Sequence, residues 1–283
     1  MKHFICCFIL LALMMTMTAC GTPPQAEKDQ NTEKSTDFPY AYGVFLGIDD
    51  DLTPCEKYKT VVIDAQYFSA EEIGNLKAEG HTVYSYINIG ALENFRNYYD
   101  EYCSLGLGVY QNWDEEIWMD VSNPGWQSFI LDELAEELKA KGIDGYFADN
   151  CDVYYEYSTN EIFAGLVTIM EGLKDKGLAV IINSGNDFVD AYTANGGDWH
   201  SIITGINQET VFSSIDWEED KFSTAAPEDH EFFCEYIETY GRLGADVYLL
   251  EYTTDDALIE EIDAYCARNG FAYYVSSTLE LIG

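Results

Sequence analysis

Positive charge is scarce in this sequence. Fourteen Lys and Arg stand against 51 Asp and Glu in 283 residues, a formal net charge of −37. A surface of that sign repels nucleic acid and anionic headgroups, which excludes nucleic-acid binding; it keeps a protein soluble and attracts cations. Histidine is scarce too. Among His3, His81, His200 and His230 no two stand at metal-ligand spacing, and no two cysteines of the folded part form a CxxC pair, so no structural zinc and no metal cofactor is expected. A Gly-rich phosphate loop is missing. Ser184, in Asn-Ser-Gly, lacks the context of a nucleophile elbow, and Cys151 has no histidine near it in sequence. The run Asp49-Asp50-Asp51 lacks the alternating ligands and closing Glu of a calcium loop and reads as a solvated turn. The cysteines beyond residue 20 (Cys55, Cys103, Cys151, Cys234 and Cys266) are odd in number and widely scattered, a poor disulfide framework.

Residues 4–17 form an almost uninterrupted apolar run after Lys2, too short for a comfortable membrane span and suited to the core of a signal peptide. The run closes Met17-Thr18-Ala19-Cys20-Gly21, which resembles the bacterial lipobox, with Met17 where Leu is usual. Residues 1–20 are therefore expected to be a lipoprotein-type signal peptide and Cys20 the lipidation site. The mature protein would be exported to the cell surface and touch the membrane only through its anchor. Residues 21–37 carry no large apolar side chain before Phe38 and read as a flexible polar tether. Residues 38–283 suffice for one large domain, expected to act as a monomer.

Within that domain a junction recurs. Lys-Ala-Glu-Gly80, Lys-Ala-Lys-Gly142, Lys-Asp-Lys-Gly177, Gly-Arg-Leu-Gly244 and Ala-Arg-Asn-Gly270 each precede an apolar run. Glycine in the left-handed conformation closes a helix, and Lys or Arg beside it sits at the negative end of the helix dipole. Helix starts are marked as well: Ser69 with Glu72 makes a capping box, Pro124 opens a helix, and Asn160 is placed to cap the next. Strands are expected at 43–47, 60–64, 83–88, 117–121, 145–149, 179–183, 202–209 and 247–251. Eight near-continuous apolar strands alternating mostly with amphipathic helices predict an α/β fold, a (β/α)8 TIM barrel, with 272–275 as an extra C-terminal strand lying against it.

Polar residues close these strands: Asp64, Asn88, Asp120, Asp149, Asn183, Glu209 and Glu251 would converge on one rim. Any one of them could cap a helix or order a turn. Together they form an acidic mouth in which carboxylates raise one another's pKa, as a paired acid and base require. Glycoside hydrolysis uses such a pair. Tyr67, Tyr86, Trp113, Trp118, Tyr154, Tyr155 and Tyr252 lie at or beyond strand ends, where sugar rings stack; Trp118, within its strand, reads as core.

Several segments, in order, resemble a known family: Trp113-Asp-Glu-Glu-Ile-Trp118-Met-Asp120, Pro124-Gly-Trp126-Gln, Gly142-Ile-Asp-Gly-Tyr-Phe-Ala-Asp149-Asn-Cys-Asp152-Val-Tyr154, Asn207-Gln-Glu209 and Leu250-Glu251-Tyr252. The pattern is similar to glycoside hydrolase family 114, the endo-α-1,4-polygalactosaminidase-like barrels. The resemblance implies hydrolysis of partly deacetylated N-acetylgalactosamine chains, with Asp149 and Glu209 as the catalytic pair and Asp152 as the alternative nucleophile. It departs from the family's Gly-Glu-x-Glu-x-x-Arg pattern after Tyr86, where Gly90-Ala91-Leu-Glu93-Asn-Phe-Arg96 replaces one acidic position. The substrate-binding set expected around the pair is Asp64, Tyr86, Glu93, Arg96, Asp120, Asn150, Asp152, Tyr154, Asn183, Glu251 and Tyr252. A lipid-anchored sugar-binding barrel without hydrolysis is the alternative; retention of both Asp149 and Glu209 favours the enzyme.

Overall fold

The structure is a computed structural model that describes residues 37–283 except 218 and 220. The expected signal peptide, its Cys20 and nearly all of the tether lie outside the described residues. Thirteen strands follow in chain order: β1 (Tyr40–Phe45), β2 (Tyr58–Ile63), β3 (Thr82–Asn88), β4 (Ala91–Glu93), β5 (Gly106–Val109), β6 (Glu116–Met119), β7 (Gly145–Asp149), β8 (Ala179–Asn183), β9 (Gly205–Glu209), β10 (Ser213–Asp216), β11 (Lys221–Thr224), β12 (Asp246–Tyr252) and β13 (Ala272–Ser276). Eight of them make a parallel sheet in the order β1-β2-β3-β7-β8-β9-β12-β13, curled into a nearly closed (β/α)8 barrel. Between β13 and β1 no ladder is present among the described residues. The seam is filled by Phe45, Tyr58 and Tyr274, whose rings pack at 5.1 to 5.6 Å.

Barrel and sequence expectation differ in which strands form the circle. The strand expected at 117–121 lies outside it: β6 pairs antiparallel with β4 and β5 in a separate sheet, and β3 pairs directly with β7. A parallel neighbour needs a crossover long enough to return the chain to the base of the barrel. Between β3 and β6 the only α-helix among the described residues is the four-residue Tyr99–Tyr102, far too short for that return. In contrast, the 14-residue helix Asp256–Asn269 supplies the crossover before β13, so the strand expected as an addition completes the circle beside β12.

The five helix-ending glycines all adopt positive φ, from 73° at Gly270 to 103° at Gly244. Lysines from one helix reach the open carbonyls of the next: Lys77 Nζ donates to Gly142 O at 2.6 Å and Lys139 Nζ to Lys176 O at 2.7 Å. The capping box at Ser69 forms as expected. The helix Asn160–Asp175 is instead capped by Thr159, whose Oγ1 accepts from Ile162 N, because the residue before the first helical turn is the one with extended backbone. Inside the barrel, Tyr42 and Tyr84 reach across to Tyr248, ring to ring at 4.5 and 6.5 Å. Some of the chain's 22 tyrosines are thus core. All five described cysteines are free thiols.

Candidate active site

Three neighbouring barrel strands deliver their last residues to the mouth. Asp149 ends β7, the fourth strand of the circle, Asn183 ends β8 and Glu209 ends β9. The Asn183 amide lies between the two carboxyls: its Nδ2 donates to Asp149 Oδ1 at 2.8 Å and to Glu209 Oε1 at 2.7 Å. Two oxygens hydrogen-bonded to one nitrogen stand no farther apart than the sum of the two contacts, about 5.5 Å.

A buried relay fixes that amide. Asn207 Nδ2 donates to Asn183 Oδ1 at 2.7 Å, and Tyr42 Oη donates to Asn207 Oδ1 at 2.9 Å. With its oxygen occupied by a donor, Asn183 can only turn its NH2 toward the carboxyls. Tyr252 Oη donates to the remaining Glu209 oxygen at 2.9 Å, and the Asn150 backbone N–H supports Asp149. Burial, and then the charge of Glu209, push the Asp149 carboxyl up to about 7 against those hydrogen bonds. Burial raises Glu209 as well, opposed by Asn183 and Tyr252. Asp152 is pushed up to about 7 by burial and by Asp149. These groups stand together in one cavity of about 610 Å³, within the range of pockets that enclose a small organic ligand.

The opposite wall is built on an ion-paired cluster. Arg96 Nη1 meets Asp64 Oδ2 at 2.6 Å and Nη2 meets Glu93 Oε1 at 2.8 Å, all three nearly inaccessible to solvent. Tyr86 Oη donates to the same Glu93 oxygen. The second Glu93 oxygen and Arg96 Nε, both buried, have no partner within the protein. Between this wall and the Asp149–Glu209 pair stands Glu116, whose Oε2 accepts from Asn88 Nδ2 at 3.2 Å and Asn150 Nδ2 at 3.4 Å. Burial, followed by the charges of Glu93 and Asp149, pushes Glu116 up to about 8. Asn150 holds a positive φ of 64°, and Gly90 lies so close beneath it that a Cβ there would fall 1.7 Å from the Asn150 carbonyl oxygen.

A model of glycoside-hydrolase family GH114 matches residues 21–280. The chain belongs to this family and is a glycoside hydrolase. An uncharacterised protein of Deinococcus radiodurans is 22% identical over 266 residues, 84% of this chain and 73% of the relative. Among solved structures, the glycoside hydrolase domain of PelA from Pseudomonas aeruginosa superimposes with a TM-score of 0.71 at 17% identity, covering 86% of this chain and 96% of that one. Aspergillus fumigatus Ega3 in complex with galactosamine superimposes with a TM-score of 0.66 at 15% identity, over 86% and 92% of the two chains. At these identities the likeness is one of fold.

Of the residues expected at the site of this glycosidase, Asp149, Glu209, Asp64, Tyr86, Glu93, Arg96, Asn150, Asp152, Asn183 and Tyr252 line the cavity. Three expected substrate contacts do not. Asp120 turns back onto Ser122, accepting from its N–H and hydroxyl, because the strand before it is not in the barrel. Tyr154 sits on a short outer helix against Phe163. Glu251 is fully buried and accepts from the backbone N–H groups of Val211, Phe212 and Ser213 and from the Ser213 hydroxyl; it shapes the loop after Glu209 and is not among the charges that raise Glu209. Nor does the Asn150 side chain serve Asp149; it faces Asn88 and Glu116. Glu116, Tyr110 and the Tyr42–Asn207 relay escaped sequence reasoning. The available signal was the stretch between β3 and β6, which does not supply the helix that a parallel neighbour requires. Among the described residues no group of three or more His, Cys, Asp or Glu is arranged to hold a metal ion.

Proposed function

We propose that the protein is an exported, lipid-anchored glycosidase that cuts a cationic amino-sugar polymer of the partly deacetylated α-1,4-galactosamine type by a retaining, two-carboxylate mechanism. The observation that carries this reading is the Asn183-bridged pair Asp149 and Glu209. Its substrate class is supported by the galactosamine bound to the structurally similar Ega3 and by a cavity lined, among the described residues, by nine acidic residues, Asp64, Glu93, Glu116, Asp149, Asp152 and Glu209 among them, and by one basic residue, Arg96. Burial raises both carboxyls, and the charge of Glu209 raises Asp149 further, which favours one proton held by the pair. An ammonium group arriving in the cleft draws Asp149 toward its ionised form, leaving the proton on Glu209. Asp149 then attacks the anomeric carbon while Glu209 protonates the departing glycosidic oxygen. Water, deprotonated by Glu209, cleaves the resulting glycosyl ester and restores both groups. Asp152 is the alternative nucleophile. Residues 1–20 would direct export, with Cys20 lipidated and residues 21–37 tethering a monomeric barrel to the membrane surface.

The test is release of reducing ends from a panel of amino-sugar polymers by the parent, Asp149→Asn and Glu209→Gln. Turnover of a deacetylated galactosamine polymer is expected to fall by about 10²–10⁴-fold or more in each variant, with unfolding midpoints retained. Near-normal hydrolysis by either variant overturns the assignment, and preference for a neutral, fully acetylated chain overturns the substrate class.

A further inference from the structure

Five non-glycine residues among those described hold a positive φ, the region in which a side chain crowds the backbone carbonyl. Three of them stand at one place. Asn150, Ser184 and Thr210, at 64°, 54° and 54°, directly follow Asp149, Asn183 and Glu209 at the ends of β7, β8 and β9, and all three line the cavity. The fold imposes this backbone. Ser184 N–H donates to Asn207 O at 2.8 Å and Thr210 N–H to Leu250 O at 3.0 Å, so each residue completes a rung to the next strand before the chain turns away.

Glycine takes this conformation without strain, and the chain uses it at its helix ends. At the mouth it does not. Asn150 is the simplest to account for, since asparagine tolerates the left-handed region and its amide donates to Asn88 and Glu116. Serine tolerates it less well, and for a β-branched residue such as threonine a positive φ is an outlier. Neither side chain offsets the strain with a good contact inside the protein. The Thr210 hydroxyl has no hydrogen-bond partner among the described residues. Ser184 Oγ only accepts, from Gln208 Nε2 at the long distance of 3.4 Å, which leaves its own proton undirected. Both residues are half-buried. Strained backbone beside reacting groups, carrying hydroxyls that the protein itself does not use, marks side chains kept for a ligand.

We propose that Ser184 and Thr210 are substrate-contact residues of this glycosidase, whose hydroxyls hydrogen-bond the hydroxyl groups of the sugar chain beside Asp149 and Glu209. The proposal rests on the reading of that pair as the reacting groups, and not on the amino group of the substrate. An ionised carboxylate only accepts, whereas a hydroxyl both donates and accepts. In a cavity rich in acids, Ser184 and Thr210 therefore supply donors to sugar oxygens, and they orient a ring whether or not it carries charge.

The experiment measures steady-state cleavage of the polymer that the parent turns over best, together with denaturant unfolding, for Ser184→Ala, Thr210→Ala, Thr210→Ser, Ser184→Gly and Thr210→Gly. Each alanine variant is expected to raise KM roughly threefold to tenfold, as loss of one neutral hydrogen bond does, with the loss falling on KM rather than on kcat. Thr210→Ser keeps the hydroxyl and should recover most of the loss. Both glycine variants should bind as poorly as the alanine variants and yet unfold at no lower denaturant than the parent, because glycine relieves the strain. A parent-like KM in either alanine variant, or a loss in Thr210→Ser equal to that in Thr210→Ala, overturns the proposal. So does a glycine variant that unfolds before the parent, since the side chain it lacks then serves the fold. Inactivity of the parent on every polymer tells against the functional reading instead; the contacts are then judged by unfolding alone and are overturned if either glycine variant is the less stable.

Discussion

At the base of the barrel, Lys77 and Lys139 each place an ammonium on the open carbonyl of a neighbouring helix, at 2.6 and 2.7 Å, and lie close to water. At the mouth nine acidic residues line a cavity whose one basic residue, among the described residues, is Arg96, itself buried and paired with Asp64 and Glu93. At the base each lysine is favoured by the negative end of a helix dipole, in contacts that are individually weak because solvent screens them. The mouth leaves charge uncompensated and holds what it has in low dielectric. The difference teaches where this chain tolerates instability: at the base charge serves the fold, and at the mouth the fold carries a burden of crowded acids, which the cationic substrate proposed above would relieve.

If that contrast is right, removing the one mouth cation is the most damaging change. Arg96→Ala leaves Asp64 and Glu93 buried without their partner and is expected to cost ~3–5 kcal/mol of stability, read by denaturant unfolding. A loss under about 1 kcal/mol would mean that the cluster is protonated or hydrated and that the mouth is not a low-dielectric site. The next effect depends on pH. Burial raises Glu116 to about 8 from an ordinary 4.5, so its contribution is present below the unfolded value and is lost as pH rises toward the folded one. Glu116→Gln should match the parent in unfolding midpoint near pH 5 and exceed it progressively up to pH 8; a difference that stays constant across this range refutes the idea. The smallest effect belongs to the base. Lys77→Met, which loses contacts to Gly142 O and to Asp144 at 2.8 Å while a third of each side chain is solvated, should cost only ~0.5 kcal/mol in the same denaturant assay. A cost comparable to that of Arg96→Ala would erase the distinction between the two ends.

Much of the barrel was legible because its signals are local. Glycines that close helices, lysines beside them and the Ser69 capping box act within a few residues, and each behaves in the fold as its chemistry dictates. Strand-end polarity likewise brought Asp149, Asn183 and Glu209 to one rim. What could not be read was which strands are neighbours. An apolar stretch such as Ile117-Trp118-Met119 fits a barrel strand or an inserted antiparallel one equally well until the length of the preceding crossover is weighed. From that one misplacement follow the errors at Asp120 and Glu116. Glu251 failed for a different reason: a strand-end carboxylate looks the same in sequence whether it faces the cavity or three backbone N–H groups of an adjacent loop, and only the fold distinguishes the two.

The hydroxyl of Tyr42 gives the site a dependence on time as well as space. It joins the first strand of the circle to Asn207, 165 residues later, and through Asn207 it aims the amide that bridges the two carboxyls. A contact spanning so much of the chain forms late, after shorter loops have closed. While the polypeptide is only partly assembled, Asp149 and Glu209 exist but nothing aligns Asn183 between them. On the roles proposed for Asp149 and Glu209, hydrolysis belongs to the finished circle, and the recovery of activity during refolding is a clock for the arrival of β1 beside its distant partner.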